Sequence, residues 1–296
     1  MKAETAWQSG RLGSSQGPHR LLFGHMHEDA EIEREAFQGA GRVFCIASAG
    51  DTALRLADQH EVVACDINPV QLAYAERRAG GSPPETGDAE RAMNFVRTFM
   101  PLVGWHVGVI RAFLALSNVT EQMTFWREHL NTRRFRIGFD ALLSREMLRA
   151  VYAPRFLSVL PGRFGAVLRK RLERGFARHP NAGNPYAHAL LLGKHSNGFR
   201  PRSPSIRFVQ ADAATWLESC PAGFFNAFAL SNILDGAEPA YRLRLSNAVR
   251  HAASDHAVVV LRSFAEPSPD LSTNHAERDR SMLWGVVAIS RAELLQ

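Results

Sequence analysis

The 296-residue sequence has no G-x-G-x-x-G run, no C-x-x-C pair, no apolar stretch approaching the length of a membrane span, and only three lysines, Lys2, Lys170 and Lys194. Each absence removes a class of protein. Without a glycine-rich cradle, a ligand carrying a pyrophosphate is poorly supported. Three isolated cysteines, Cys45, Cys65 and Cys220, give neither a disulfide framework nor a zinc site, and a reducing cytoplasm is the expected compartment. Without a long apolar run no spanning helix is expected, and a hydrophobic content of 46% fits a soluble globular chain. The opening MKAETAWQSGRLGSSQG lacks the apolar core of a signal peptide, so residues 1–20 read as a flexible polar tail. With so little lysine, the net charge of +6 and the pI near 9.7 rest on arginine, much of it between Arg127 and Arg178. Such a face meets anionic lipid headgroups, nucleic acid or solvent. No base-stacking module accompanies it, so a nucleic-acid partner is not expected; a solvated helix surface is the leading reading, and peripheral membrane contact through this segment is its alternative.

What is present begins with VFCIASAGDTALRLADQHEVVACDINPVQ, from Val43 to Gln71. An apolar run ends in a small-residue turn, a short helix follows, and a second apolar run ends in Asp66. This is a nucleotide-binding βαβ pattern, with Ser48, Ala49 and Gly50 permitting close backbone approach and Asp66 placed to accept hydrogen bonds from a ribose. A turn with one glycine suits a ligand without phosphates, such as S-adenosylmethionine. The competing structural reading is a tight turn at Gly50 and a helix begun by Asn68 and Pro69.

Further along, Gly80 to Pro84 breaks a helix over 70–78, and from Asp88 to about Leu192 apolar residues recur at helical spacing. The strand-helix alternation returns with strands expected at Ile206–Gln210, Phe224–Leu230, Ala257–Leu261 and Trp284–Ile289, and helices at Ala213–Ser219 and Tyr241–Ala253. The expected fold is α/β, a Rossmann-like sheet of the class I methyltransferase type with a large helical insertion. Its parts are a tail (1–20), a first half (21–87), a helical lid (88–200) and a second half (201–296).

Several segments carry a family resemblance: Leu22 to Asp29 (LFGHMHED), Ser48-Ala49-Gly50, Asp66-Ile67-Asn68-Pro69-x-Gln71, Asn184-Pro185-Tyr186, Gln210-Ala211-Asp212, Ser231 to Asp235 (SNILD) and Asp279-Arg280-Ser281. In this order, with the long helical insert, the chain resembles the S-adenosylmethionine-dependent 3-amino-3-carboxypropyl transferases similar to the first enzyme of betaine-lipid synthesis. Asp51-Thr52 stands where many lipid-type members have Cys-Asn, and Gly236 where an aromatic is common. The acceptor is therefore open between a lipid glycerol hydroxyl and a phenolic or other small-molecule hydroxyl.

The resemblance implies S-adenosylmethionine as co-substrate, no metal, and attack on the γ-carbon of the amino acid chain with release of methylthioadenosine. It implies a donor site of Ser48, Ala49, Gly50, Asp66, Ile67 and Gln71, with Asp212 and Ala213 flanking the adenine and Ser231 and Asn232 meeting the amino acid end. Arg262 or Arg280 is expected to pair with the donor carboxylate, and Tyr186 to line the acceptor pocket. The expected base is Asp235, then Glu28 or His25. Ordinary methyl transfer to a small molecule is the alternative reaction. A non-catalytic protein docking through its arginines is the alternative class.

Overall fold

The computed structural model describes residues 5, 7–13, 17–195, 205–268, 271 and 273–295. Six strands form one sheet: β1 (Arg42–Ile46), β2 (Glu61–Asp66), β3 (Ile206–Gln210), β4 (Phe225–Ala229), β5 (Ala253–Ser263) and β6 (Val286–Arg291), in the spatial order β3-β2-β1-β4-β5-β6. The first five are parallel and β6 runs antiparallel to β5. The order reverses between β1 and β4, and this switch point opens a crevice at the carboxyl ends of the strands.

The helices in chain order are α1 (Glu31–Ala36), α2 (Asp51–Leu56) and α3 (Pro69–Ala79), then α4 (Asp88–Arg97), α5 (Val107–Leu114), α6 (Val119–Phe125), α7 (Arg133–Leu142), α8 (Arg145–Arg149), α9 (Pro154–Leu157), α10 (Phe164–Arg178) and α11 (Pro185–Leu192), and finally α12 (Ala213–Ser219) and α13 (Pro239–Ala252). Alternation along the strands sends Val43 and Cys45 to one face, with Ile32, Phe37, Leu56 and Leu72 from the first helices. Phe44 goes to the other, with Leu217, Tyr241, Leu245 and Val249 of α12 and α13. Both faces are therefore buried, and the central strands read as continuous apolar runs for that reason. The architecture is α/β, a Rossmann-like and mostly parallel sheet with helices on both faces, and further helices are inserted between the second and third βα units.

The expected strand at Ile206–Gln210 and helix at Ala213–Ser219 coincide with β3 and α12. β5 starts four residues before the expected Ala257. His256 takes a left-handed φ of 62°, and the pairing with β4 shifts between Phe225 and Ala227, so a bulge joins the earlier residues to the sheet.

Helices α5, α6, α7, α10 and α11 surround a core of their own, in which Trp105, Phe113, Trp126, Phe135, Leu172 and Phe176 meet Met282 from the loop before β6. Arg171 of α10 fastens this block to the sheet by donating to the carbonyls of Leu283, Phe264 and Ala265. The boundary expected at residues 200 and 201 lies outside the described residues. Within the stretch expected to be a flexible tail, Trp7 packs edge-on against Phe23 and Phe156, with ring centroids 5.9 and 5.6 Å apart, and Leu12 is buried. That part of the tail lies on the body, because Trp7 and Leu12 give an otherwise polar segment two apolar anchors.

Candidate active site

A cleft opens at the switch point. Its lining includes Ser48, Asp66, Ile67, Gln71, Asp212, Ala213, Ser231 and Asn232, eight of the ten residues expected at the donor. Trp7, Asn68 and Tyr241 join them, and no arginine or lysine lines it among the described residues.

The floor is built by two turns. After β1 the chain passes through Ser48 (φ 42°) and Gly50 (φ 86°) into α2. A Cβ at Gly50 would stand 3.2 Å from that of Ala75 on α3, so both the backbone angle and the close packing favour glycine. Ala49 is fully buried and lies behind the wall, its carbonyl accepting from Arg78 Nη1 at 2.8 Å. After β2, Asp66 accepts from the backbone N–H of Ser48 at 3.0 Å and of Asn68 at 2.9 Å, one on each oxygen. Asn68 then caps α3, accepting from Val70 and Gln71. Burial pushes the Asp66 carboxyl up to about 6, against the pull of these N–H groups.

The opposite wall belongs to β3 and β4. Asp212 caps α12 through Thr215 N at 2.9 Å, and its other oxygen accepts from the hydroxyl of Tyr241 at 2.7 Å. Ser231, at φ 52°, and Asn232 follow β4. The Ser231 hydroxyl donates to Glu28 Oε1. The other Glu28 oxygen is buried, has no hydrogen-bond partner among the described residues, and lies 3.7 Å from Arg262 Nη1. Burial raises the Glu28 carboxyl to about 7, with Arg262 opposing and the neighbouring Glu33 adding to the rise.

Gln71 lines the cleft and also braces the arm. Its side-chain oxygen accepts from the N–H groups of Leu22 (3.0 Å) and Phe23 (3.1 Å), and its nitrogen donates to the Phe23 carbonyl at 2.8 Å. It thereby ties the arm carrying His25, Glu28 and Asp29 across the mouth of the cleft.

The arginines expected at the donor carboxylate are engaged elsewhere. Arg262 is fully buried, with its guanidinium donating to Glu33, to Asp279 (Nε, 3.0 Å) and to the Asp29 carbonyl (3.1 Å). Arg280 forms a two-bond pair with Asp29 at 2.5 and 2.6 Å and lies 5.8 Å from the Tyr186 ring centroid. Neither arginine nor Tyr186 lines the cleft. The charges that surround them come from residues far off in sequence, so a motif search sees a cation and not its partner.

Asp235 is also behind the wall. Ser263 Oγ donates to one of its oxygens at 2.6 Å, and Phe264 N (3.1 Å) and Asn232 Nδ2 (3.3 Å) to the other. Its surroundings suit a turn acid that sets the side chain of Asn232. His25 faces a second, polar cleft with Glu90, Asn94 and His195. Its Nδ1 is 3.6 Å from Asp51, and its ring stacks on His195 with centroids 3.7 Å apart. Burial, and then the nearby His25, lower His27 to about 4 and His195 to about 3.

No family model matches the chain, and no curated protein does. Among solved structures the chain is similar to the rRNA methyltransferase AviRa from Streptomyces viridochromogenes, at 13% identity over 85% of this chain and 82% of that one, with a TM-score of 0.33.

The cleft draws its walls from the carboxyl ends of β1, β2, β3 and β4. It is acidic, with Asp66 and Asp212 in its lining. Apolar surface comes from Ile46, Ile67, Ala211, Ala213 and Ile233. Two carboxylates with no cation in the lining among the described residues disfavour a phosphate-bearing ligand.

Proposed function

We propose that the chain binds S-adenosylmethionine in this cleft and transfers its 3-amino-3-carboxypropyl group to a hydroxyl acceptor, releasing methylthioadenosine. The observation that carries the reading is the wiring of the separated motifs. Glu28 of the arm meets Ser231 after β4, Asp29 meets Arg280, and Asn184 Nδ2 donates to the Arg280 carbonyl at 2.9 Å. Gln71 holds the arm from α3. Segments spread over most of the sequence thus form one frame around an acidic cleft at the switch point.

The donor fits this lining on three counts. Each Asp66 oxygen accepts one backbone N–H, which leaves lone pairs toward the cleft for two vicinal ribose hydroxyls. The aliphatic wall flanks a purine. The carboxylates favour a sulfonium centre, whose three carbon substituents are all electrophilic.

Which carbon reacts depends on where the nucleophile stands, and Ser231 and Glu28 supply the proton acceptor for it. Ser231 lines the cleft and Glu28 lies behind it. As the acceptor oxygen bonds to the γ-carbon, the carbon-sulfur bond breaks and its electron pair stays on sulfur. The acceptor's proton passes to Ser231 Oγ while the serine proton passes to Glu28. A carboxyl near 7 is matched to that transfer at neutral pH. Arg262 holds Glu28 in place, and Asp235 holds Asn232, as positioning residues.

Methyl transfer uses the same donor site and differs in its product. Incubating the chain with S-adenosylmethionine and a panel of diacylglycerol and phenolic acceptors, with mass spectrometry of the nucleoside, separates the two. Methylthioadenosine formed only with an acceptor is the expected product. S-adenosylhomocysteine alone would replace the proposal with methyl transfer.

A further inference from the structure

The inserted helices carry charge that the rest of the chain does not. Residues 88–195 hold 17 arginines and lysines against 7 acids, whereas the whole chain has 35 against 29. Outside that block, acids are in excess.

One face of the block also carries apolar side chains that nothing covers. Phe95 on α4, Phe99 after it and Leu102 in the 3-10 turn Met100–Val103 are 65%, 47% and 75% exposed, at spacings of four and three residues. The two phenyl rings meet edge to face at 5.1 Å. Val107, at the start of α5, is exposed as well. Helix α7 lies beside this row, because Gly138 leaves room for Val103 and Phe135 stacks on Trp105 at 4.2 Å. With Phe135 turned into the core, α7 presents Ile137, Arg133, Arg134 and Arg136 outward. Arg133 and Arg134 make no ion pair among the described residues, and Arg136 donates only to the Asn131 carbonyl.

We propose that this face seats the protein on an anionic lipid bilayer. Phe95, Phe99, Leu102, Val107 and Ile137 enter the interface, and the α7 guanidiniums meet headgroup phosphates. On a nucleic acid Leu102, Val107 and Ile137 would find no partner, and the two phenyl rings pack edge to face on each other instead of standing open for bases to stack on. A second copy of the chain would bring one arginine-rich face against another. The bilayer alone complements both the apolar row and the charge. This docking does not depend on which group the cleft transfers.

The test is co-sedimentation of the full chain with vesicles of phosphatidylcholine, alone or mixed with phosphatidylglycerol. The expected result is binding to the mixed vesicles, weakened by salt. The variants Phe95→Ser/Phe99→Ser/Leu102→Ser and Arg133→Glu/Arg134→Glu should each lower the bound fraction by about tenfold or more, at unchanged melting temperature. All the replaced side chains are exposed, so folding is not at stake in either variant. Equal binding to both vesicle types, or undiminished binding by the serine variant, overturns the proposal. So does binding of single-stranded RNA without binding of vesicles. A wild-type dimer in sedimentation velocity that the serine variant abolishes, with vesicle binding intact, would assign the face to a second copy.

Discussion

Ser231 and Glu28 are joined side chain to side chain across 203 positions of sequence, and the pair stands where the cleft wall meets the arm. Removing either partner should disable proton removal and leave the donor site standing. Glu28→Gln and Ser231→Ala are expected to lower methylthioadenosine release by about 10²- to 10⁴-fold, the range of a general base. Donor affinity by calorimetry should change little. A Glu28→Gln enzyme with wild-type turnover would remove the pair from the reaction, while equal loss of binding and turnover would make it part of the donor site.

Asp66→Asn should weaken donor binding by about tenfold or more, since a hydrogen bond to a charged acceptor contributes roughly 1.5–3 kcal/mol. The shape of the floor is kept, and one backbone N–H loses its carboxylate oxygen. Unchanged affinity in a calorimetric titration would place the ribose elsewhere.

Two pH dependences of opposite sign follow from the same carboxyl. Its folded value, near 6, lies above the ordinary 3.8, so the folded state binds the proton more tightly than the unfolded chain. The stability linked to this group is therefore fully present below about 4 and is lost as pH rises through 6. Donor affinity runs the other way, rising through 6 as the carboxylate forms. Wild type and Asp66→Asn should have matching melting temperatures near pH 4, with the variant gaining on wild type above pH 6. A difference independent of pH would show that Asp66 does not titrate there.

Arg262→Met is expected to destabilise the fold severely. It leaves Glu33, Asp279 and Glu28 buried around a missing cation, and breaking such a cluster from one side costs about 3–5 kcal/mol. Chemical denaturation should register a large fall in midpoint. A small fall, accompanied by lost donor affinity, would return Arg262 to the substrate.

How much of this could be read in the sequence follows the range of the interactions. Ile206–Gln210 and Ala213–Ser219 are legible because alternation, a capping Asp212 and helix spacing act within a few residues. The lining residues Ser48, Asp66, Asp212 and Ser231 are legible because each ends or follows a strand whose end can be located. Arg262 and Asp235 look available in the sequence because nothing local reveals Glu33, Asp279 or Ser263 as their partners. Trp7 is hidden by its polar neighbours. Its place beside the cleft is decided by Phe156, nearly 150 residues on.

The same long-range wiring sets an order on biosynthesis. Glu28, Asp29 and Glu33 leave the ribosome more than 200 residues ahead of Arg262 and Arg280, the cations that neutralise them. The nascent chain therefore carries three acids whose burial must wait for residues 262 and 280. The arm cannot close before then, and a ribosome stalled before residue 262 would display a chain whose arm proteases still cut.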